Sequence, residues 1–303
     1  MRRTFNNAIA VAPFGSYVTG LYLPTSDNDI VLALPQQWHG LPTKIQLSAI
    51  STAIKASGFA SHVDDVLNAS VPLIKIRDQI TSIDIDLTAF DGHAFRSTGL
   101  VQKWMQKDTE LKTALMMVLK RFLAIRRCGT TYTGGINSYL LVWMVVAWVH
   151  IEWPNVKRSA PSHIAATSIN TPNNSPVEPF TAGLGPTNAT SVHLLPLYTH
   201  ALLHFFRFYG PTFRYEFQAI EIEPTPRIRY KLPTPKRPYL FSISDPADPS
   251  IDMGSKVYGI KHIQATFSHA YVALQQITRV LELGDGQSTQ FPHGILHYLL
   301  YIS

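Results

Sequence analysis

Apolar positions follow a strand-like period in the first third of this chain and a helical period through most of the rest. Ala8 to Val11 and the run Ile30-Val31-Leu32-Ala33-Leu34 predict short strands. Leu73-Ile74-Lys75-Ile76 predicts another, and Asp78-Gln79 marks a turn after it. Ser82-Ile83-Asp84-Ile85-Asp86-Leu87 alternates strictly, with Asp84 and Asp86 on one face and Ile83, Ile85 and Leu87 on the other. Between these runs, residues 42–57 carry Ile45, Ala49, Ile50, Ala53 and Ile54 at helical spacing, with Pro42 at the first turn and Gly58 as a stop. Residues 8–92 therefore predict a small mixed sheet with helices.

From residue 93 the period is helical. Residues 110–127 place Leu111, Leu115, Val118, Leu119, Phe122 and Ile125 on one stripe, with Arg126 and Arg127 expected to close the helix against its dipole. A second helix starts near Gly135 and is apolar all round, which predicts a central position. Its apolar run, Leu140 to Val149, falls short of the roughly 20 residues a bilayer needs, so a core helix rather than a membrane span is expected. Residues 154–191 lose all periodicity in Ser, Thr, Asn and Pro and predict a disordered insertion. Residues 194–209 and 256–283 return to helical spacing, and residues 224–239, rich in Pro, Arg and Lys, predict an exposed basic ribbon. The fold class is α+β in two domains, 1–92 and 93–303, as the length of 303 residues suggests.

The formal charge of +6 and a pI near 9.3 fit a polyanionic partner. The single cysteine, Cys128, excludes an internal disulfide framework and reads as packing rather than nucleophile. Met1-Arg2-Arg3-Thr4 leads into no apolar core region, so no signal peptide is expected.

The chemistry concentrates around Phe14-Gly15-Ser16 and Ser26-Asp27-Asn28-Asp29. Asp27 and Asp29, two residues apart at the mouth of a strand, share a face, and carboxylates held that close favour a divalent cation between them. A Gly-Ser turn at a helix start offers backbone N–H groups and a hydroxyl to phosphate. A third carboxylate from the later strand completes a cluster if the two strands are neighbours, although spacing alone does not choose between Asp84 and Asp86. Metal plus phosphate points to nucleotidyl transfer.

The run from Pro13 to Asp29 resembles the signature of the DNA-polymerase-β-type nucleotidyltransferases, and within them the template-independent poly(A) polymerases of the TRAMP type. Four further blocks fit in order. Ile85-Asp86-Leu87 resembles the third-carboxylate strand, which favours Asp86. Val118 to Leu123 resembles the lysine helix, Tyr132 to Leu140 the Gly-Gly-x-x-Ser-Tyr helix start, and Asp245 to Gly254 the base-recognition loop. The resemblance implies a nucleotidyltransferase palm domain followed by a helical, PAP-associated central domain. It implies transfer of AMP from ATP to an RNA 3′ end with two Mg²⁺ or Mn²⁺ ions held by Asp27, Asp29 and Asp86. It implies nucleotide contacts from Gly15, Ser16, Lys120, Ser138, Tyr139 and Asp252. A zinc-knuckle RNA-binding protein and a helicase are the implied partners, in nuclear RNA surveillance, with no membrane role.

Within the resemblance, Ile251 stands where uridylyltransferases commonly have histidine, and Ile251 and Ser255 replace the Asn and Arg typical of the TRAMP-type loop. The alternatives are a transferase using UTP or mixed nucleotides, and a catalytically weak paralogue retained as a scaffold. Two features keep the second open: the family usually has a helix before the first strand, whereas this sequence begins almost at that strand, and the base-recognition loop is altered. Lys103, Lys107, Arg126, Arg127 and the 227–237 ribbon are the basic candidates for RNA.

Overall fold

A computed structural model describes residues 10–69, 71–89, 92–159, 189–231 and 237–282. The chain divides into two compact units, Met1–Gln106 and Lys107–Ser303.

The first unit is built on a five-stranded mixed sheet in the order β1-β2-β5-β4-β3, made by β1 (Ala10–Pro13), β2 (Asn28–Ala33), β3 (Ala60–Val66), β4 (Leu73–Asp78) and β5 (Asp84–Ala89). Only β2 and β5 run parallel; the other neighbours are antiparallel. Alternation decides the faces. Ile74 and Ile76 of β4 pair with Leu87 and Ile85 of β5, and with Leu32 they meet Leu47, Ile50 and Ile54 of helix α2 (Thr43–Ser57) in one apolar cluster. Lys75, Arg77, Asp84 and Asp86 are consequently turned to the opposite, polar face. Pro42 precedes α2 and Gly58 ends it in a left-handed conformation, as the sequence predicts.

Helix α3 (His93–Met105) belongs to this first unit, so the division falls later than the expected 92/93 boundary. Two hydrogen bonds explain it. The Thr98 hydroxyl accepts from the Gly15 N–H at 3.0 Å, and Gln102 donates to the Val18 carbonyl at 3.3 Å. Both reach the short helix α1 (Gly15–Thr19).

The second unit is helical around α5 (Ser138–Ile151), whose residues Leu140 to Val149 are all buried. No helix among the described residues is long and apolar enough to cross a membrane. Helix α4 (Thr109–Ile125) ends before the two arginines expected to close it, because Arg127 adopts a left-handed conformation and the chain turns there. Cys128, just beyond, is buried, and burial pushes its thiol up, consistent with packing. The described ends of the expected insertion at 154–191 are helical. Helix α6 (Trp153–Ser159) buries Trp153 and Val156 and places Pro154 in its first turn, where the missing N–H costs little. A further helix covers Ala189–Arg207; the intervening 160–188 lie outside the described residues.

That helix and helix Ile260–Glu282 bring Phe206 and Phe267 against Phe122, with ring centroids 5.0 Å apart for Phe122 and Phe206, and Phe205 meets Phe267 edge-on at 6.1 Å. Helix Ile260–Glu282 begins later than residue 256, since Met253–Lys256 forms a 3₁₀ turn. The expected basic ribbon, 224–239, supplies β7 (Arg227–Tyr230), which pairs antiparallel with β6 (Gln218–Glu221) before it, with Arg227 paired to Glu221 at 2.8 Å. Part of it, 232–236, lies outside the described residues.

The rings of His200 and His204, one helical turn apart, lie tilted against each other with centroids 4.5 Å apart. Burial, with the neighbouring His200 and Arg207 charges adding, lowers His204 to about 4, and burial also lowers His200. The unfolded chain binds these protons near pH 6.5 and the folded chain does not, so stability is complete above pH 6.5 and is lost as pH falls toward 4. Denaturant unfolding should show up to about 2 kcal/mol less stability at pH 5 than at pH 7 from His204 alone. In His204→Gln the pH slope should flatten; an unchanged slope would contradict the assignment.

Candidate functional site

The polar face of the first unit's sheet gathers the carboxylates. Asp29 on β2 and Asp86 on β5 are directly paired across the one parallel junction of the sheet. Asp27 precedes Asp29 by two residues and so projects to the same face at the strand's entry. The choice left open by spacing is resolved by partners and burial. Asp84 is 53% exposed and locked in a two-pronged fork with Arg77, both contacts at 2.8 Å, which holds its carboxyl low. Asp86 is only 16% exposed and stands beside Asp29.

The Gly-Ser turn touches this group through its backbone. Gly15 has φ +66°, and a Cβ there would lie 2.4 Å from the Asp29 carboxylate oxygen Oδ2. The Phe14 N–H also donates to the Asp29 carbonyl at 3.0 Å. No other residue type can keep the turn this close to Asp29. Ser16 follows, half-buried, in the first turn of α1.

Lys75 is the group that strand-by-strand reading of the sequence passes over. Its register partner on β5 is Asp86, and its ammonium lies 3.2 and 3.1 Å from the two Asp86 oxygens. Burial works to lower the Lys75 ammonium, yet the hydrogen bond and charge of Asp86, with Asp27 and Asp29 adding, leave it raised. Burial pushes the Asp86 carboxyl up, with Asp27 and Asp84 adding and Lys75 opposing. The pair is half-exposed on the lysine side, so its net contribution to stability is of order 1 kcal/mol or less. The polar alternation of Lys75 between Ile74 and Ile76 is the sequence signal that could have found it.

Around these groups lies a recess of about 440 Å³ lined by Thr25, Asp27, His62, Lys75, Arg77 and Asp86, among others. Among the described residues no three His, Cys, Asp or Glu side chains converge closely enough to hold an ion by themselves. The donor chemistry nonetheless fits Mg²⁺ or Mn²⁺: hard carboxylate oxygens from two adjacent strands, a neighbouring turn without a side chain, and a weakly held lysine as counter-ion.

The other sequence-selected residues belong to the second unit. Gly134 and Gly135 lead into α5. A Cβ on Gly134 would strike the Tyr258 ring at 2.5 Å, and one on Gly135 would strike the Cys128 carbonyl at 2.3 Å. Asn137 caps α5 by accepting from the Leu140 N–H at 2.8 Å, leaving Ser138 exposed in the first turn. The Tyr139 hydroxyl donates to Asp245 at 2.8 Å, and its ring meets Trp143 edge-on at 5.9 Å. Lys120 is half-buried on α4.

Asp252 does structural work in its own loop. Its two oxygens accept from the Gly254 and Ile243 N–H groups, each at 3.0 Å, and from the Ser242 hydroxyl at 2.8 Å. Asp245 is buried and also accepts from the Ala247 N–H at 2.8 Å. The two aspartates therefore fix the 243–254 segment, and Asp245 ties it to Tyr139. Sequence reasoning placed Asp245 in the loop without foreseeing this bond.

Comparison with known proteins agrees with the order of these parts. The family model described as poly(A) RNA polymerase, mitochondrial-like, central palm domain matches residues 1–106, and that of the Cid1 family poly A polymerase matches residues 199–251. Poly(A) RNA polymerase cid14 of Schizosaccharomyces pombe is 26% identical over 267 residues, 87% of this chain and 34% of that protein. The chain thus spans about a third of that relative's length. The inactive non-canonical poly(A) RNA polymerase protein Trf4-2 of Drosophila melanogaster is 26% identical over 303 residues, 95% of this chain and 65% of that protein. The polymerase core of TRAMP, an RNA surveillance complex, shares the fold with a TM-score of 0.76 at 22% identity, over 99% of this chain and 84% of that one. With a palm-domain model on the first unit and a Cid1-family poly A polymerase model on residues 199–251 of the helical unit, this chain is similar in both units to the Trf4/Cid1-type nucleotidyltransferases.

Proposed function

We propose that the chain is an RNA 3′-terminal adenylyltransferase that uses ATP and two divalent metal ions. The observation that carries this reading is the pairing of Asp29 with Asp86 on adjacent parallel strands, with Asp27 on the same face and Gly15 against Asp29. Asp27 and Asp29 would hold both ions, and Asp86 the one nearer the RNA 3′-hydroxyl. Two divalent ions held there would lower the pKa of the attacking hydroxyl and neutralise charge on the leaving pyrophosphate. Asp86 would help to remove the hydroxyl proton.

The remaining residues orient the nucleotide. The Gly15-Ser16 turn and Lys120 would bind its phosphates, and Ser138 would add a hydroxyl at a helix N-terminus. Tyr139, fixed by Asp245 and Trp143, would stack on the base, worth about 1–3 kcal/mol with little discrimination among bases. Selection of adenine falls to the 243–254 loop, whose shape Asp252 maintains. The RNA surveillance setting named for the TRAMP core supports a nuclear role with an RNA-binding zinc-knuckle protein and a helicase as partners.

A second reading, a catalytically weak scaffold, is favoured by the likeness to a relative named inactive. The retained carboxylates argue against it, since each is the group a dead enzyme most readily loses. A third, transfer of UMP, is weakened by Ile251 in place of the histidine of uridylyltransferases.

Purified protein with Mg²⁺ or Mn²⁺, a labelled oligoadenylate primer and each NTP in turn separates these readings. Extension should occur with ATP and fall at least about a hundredfold in Asp29→Ala and in Asp86→Ala. Preferential extension with UTP would replace adenylyl by uridylyl transfer, and no extension with any NTP would support the scaffold. Gly15→Ala should lower kcat by about a hundredfold while the protein stays folded, because the added methyl displaces Asp29. Wild-type kcat in that variant would show that the close approach is unimportant.

A further inference from the structure

The register of the sheet places a second acidic group on the far side of Lys75. Asp64 on β3 is the cross-strand partner of Lys75, just as Asp86 on β5 is. Asp29, Asp86, Lys75 and Asp64 therefore form one row across four neighbouring strands, all on the polar face. Asp64, Lys75 and Asp86 also line the same recess. Among the described residues Asp64 has no ion-pair partner, whereas the adjacent row is closed by the Arg77–Asp84 fork. Arg77 is thus committed to Asp84, whereas Lys75, a long, half-exposed side chain, has Asp86 as its present partner and Asp64 as its other cross-strand neighbour.

We propose that Lys75 is a positioning residue that acts as an exchangeable counter-ion, holding Asp86 when the carboxylate cluster is metal-free and passing to Asp64 when a divalent ion takes Asp86. The inference rests on the metal-dependent reading above. Three physical points support it. Asp29 and Asp86 are like charges on paired positions, which repel unless a cation stands near them. A dication bound to Asp86 would repel an ammonium about 3 Å from the same oxygens. A carboxylate already one strand away gives that ammonium a place to go without leaving the sheet surface, which keeps the exchange local and reversible. Lys75 then sets the metal affinity of the nucleotide-free protein and keeps it low, so that tight binding requires the extra negative charge of a nucleotide triphosphate.

The test is Mn²⁺ binding to the full chain without nucleotide, followed by electron paramagnetic resonance of free Mn²⁺, with thermal melting to confirm folding. Lys75→Met should bind Mn²⁺ roughly tenfold more tightly than wild type, as expected for removing one cation close to the site in a partly solvated recess. Asp64→Asn should bind it roughly threefold more weakly, because Lys75 loses its alternative partner. In the Lys75→Met background Asp64→Asn should have no further effect. Unchanged or weaker binding in folded Lys75→Met would overturn the proposal. So would an Asp64→Asn effect of the same size in both backgrounds, which would mean that Asp64 acts by its own charge. Lys75→Met protein with no saturable Mn²⁺ binding that Asp29→Ala removes would overturn the metal reading itself, and the exchange with it.

Discussion

Two carboxylates on paired positions of adjacent parallel strands are an unfavourable arrangement that this fold keeps. Asp29 and Asp86 stand level across the β2–β5 junction, and burial already disfavours the charge on Asp86. Stability alone would not select such a pair, since like charges directly opposite one another weaken a sheet. The surrounding structure makes it tolerable from one side with the Lys75 ammonium, and makes it accessible from the other with a turn that has no Cβ at Gly15. The apolar face of the same strands pays for the arrangement through Ile74, Ile76 and Leu87 packed on α2.

The second unit solves a different problem, that of presenting polar groups from an apolar scaffold. Helix α5 is buried along most of its length, so its orientation is set by packing rather than by surface chemistry. Gly134 and Gly135 let the chain enter that helix past Tyr258 and the Cys128 carbonyl. The result is that Ser138 and Tyr139 occupy its first turn, with Tyr139 tied to the buried Asp245. A loop held internally by Asp252 and laterally by Asp245 has little freedom to adapt, which suits a role in discriminating among bases by shape.

Much of this was legible in the sequence, for definable reasons. The alternation from Asp84 to Leu87 and the helix over residues 42–57 survive because both elements have one face on the core, although Ile83 and Ile45, expected on the apolar faces, are exposed and the stripe of the helix runs through Leu47, Ile50 and Ile54. Strand β3 was not read, because Ser61, His62, Asp64 and Asp65 give an edge strand no apolar signature; it is held by pairing with β4. Pro154 to Ser159 was read as part of an insertion because Pro154 obscured a helix whose only core residues are Trp153 and Val156. In the site, Asp27 and Asp29 were visible as a spaced pair, but Asp84 and Asp86 carry the same local pattern. Only cross-strand partners separate them, Arg77 for one and Lys75 with Asp29 for the other, and such partners have no fixed sequence spacing.

The most direct test of the central claim is a crystal structure of the chain with Mn²⁺ and a non-hydrolysable ATP analogue, read by anomalous scattering. The account predicts two peaks about 3.5–4 Å apart, both bound by Asp27 and Asp29 and one also by Asp86, with Lys75 no longer on Asp86. Nucleotide bound with no anomalous peak at these three carboxylates, or with Lys75 still bridging Asp86, would contradict it.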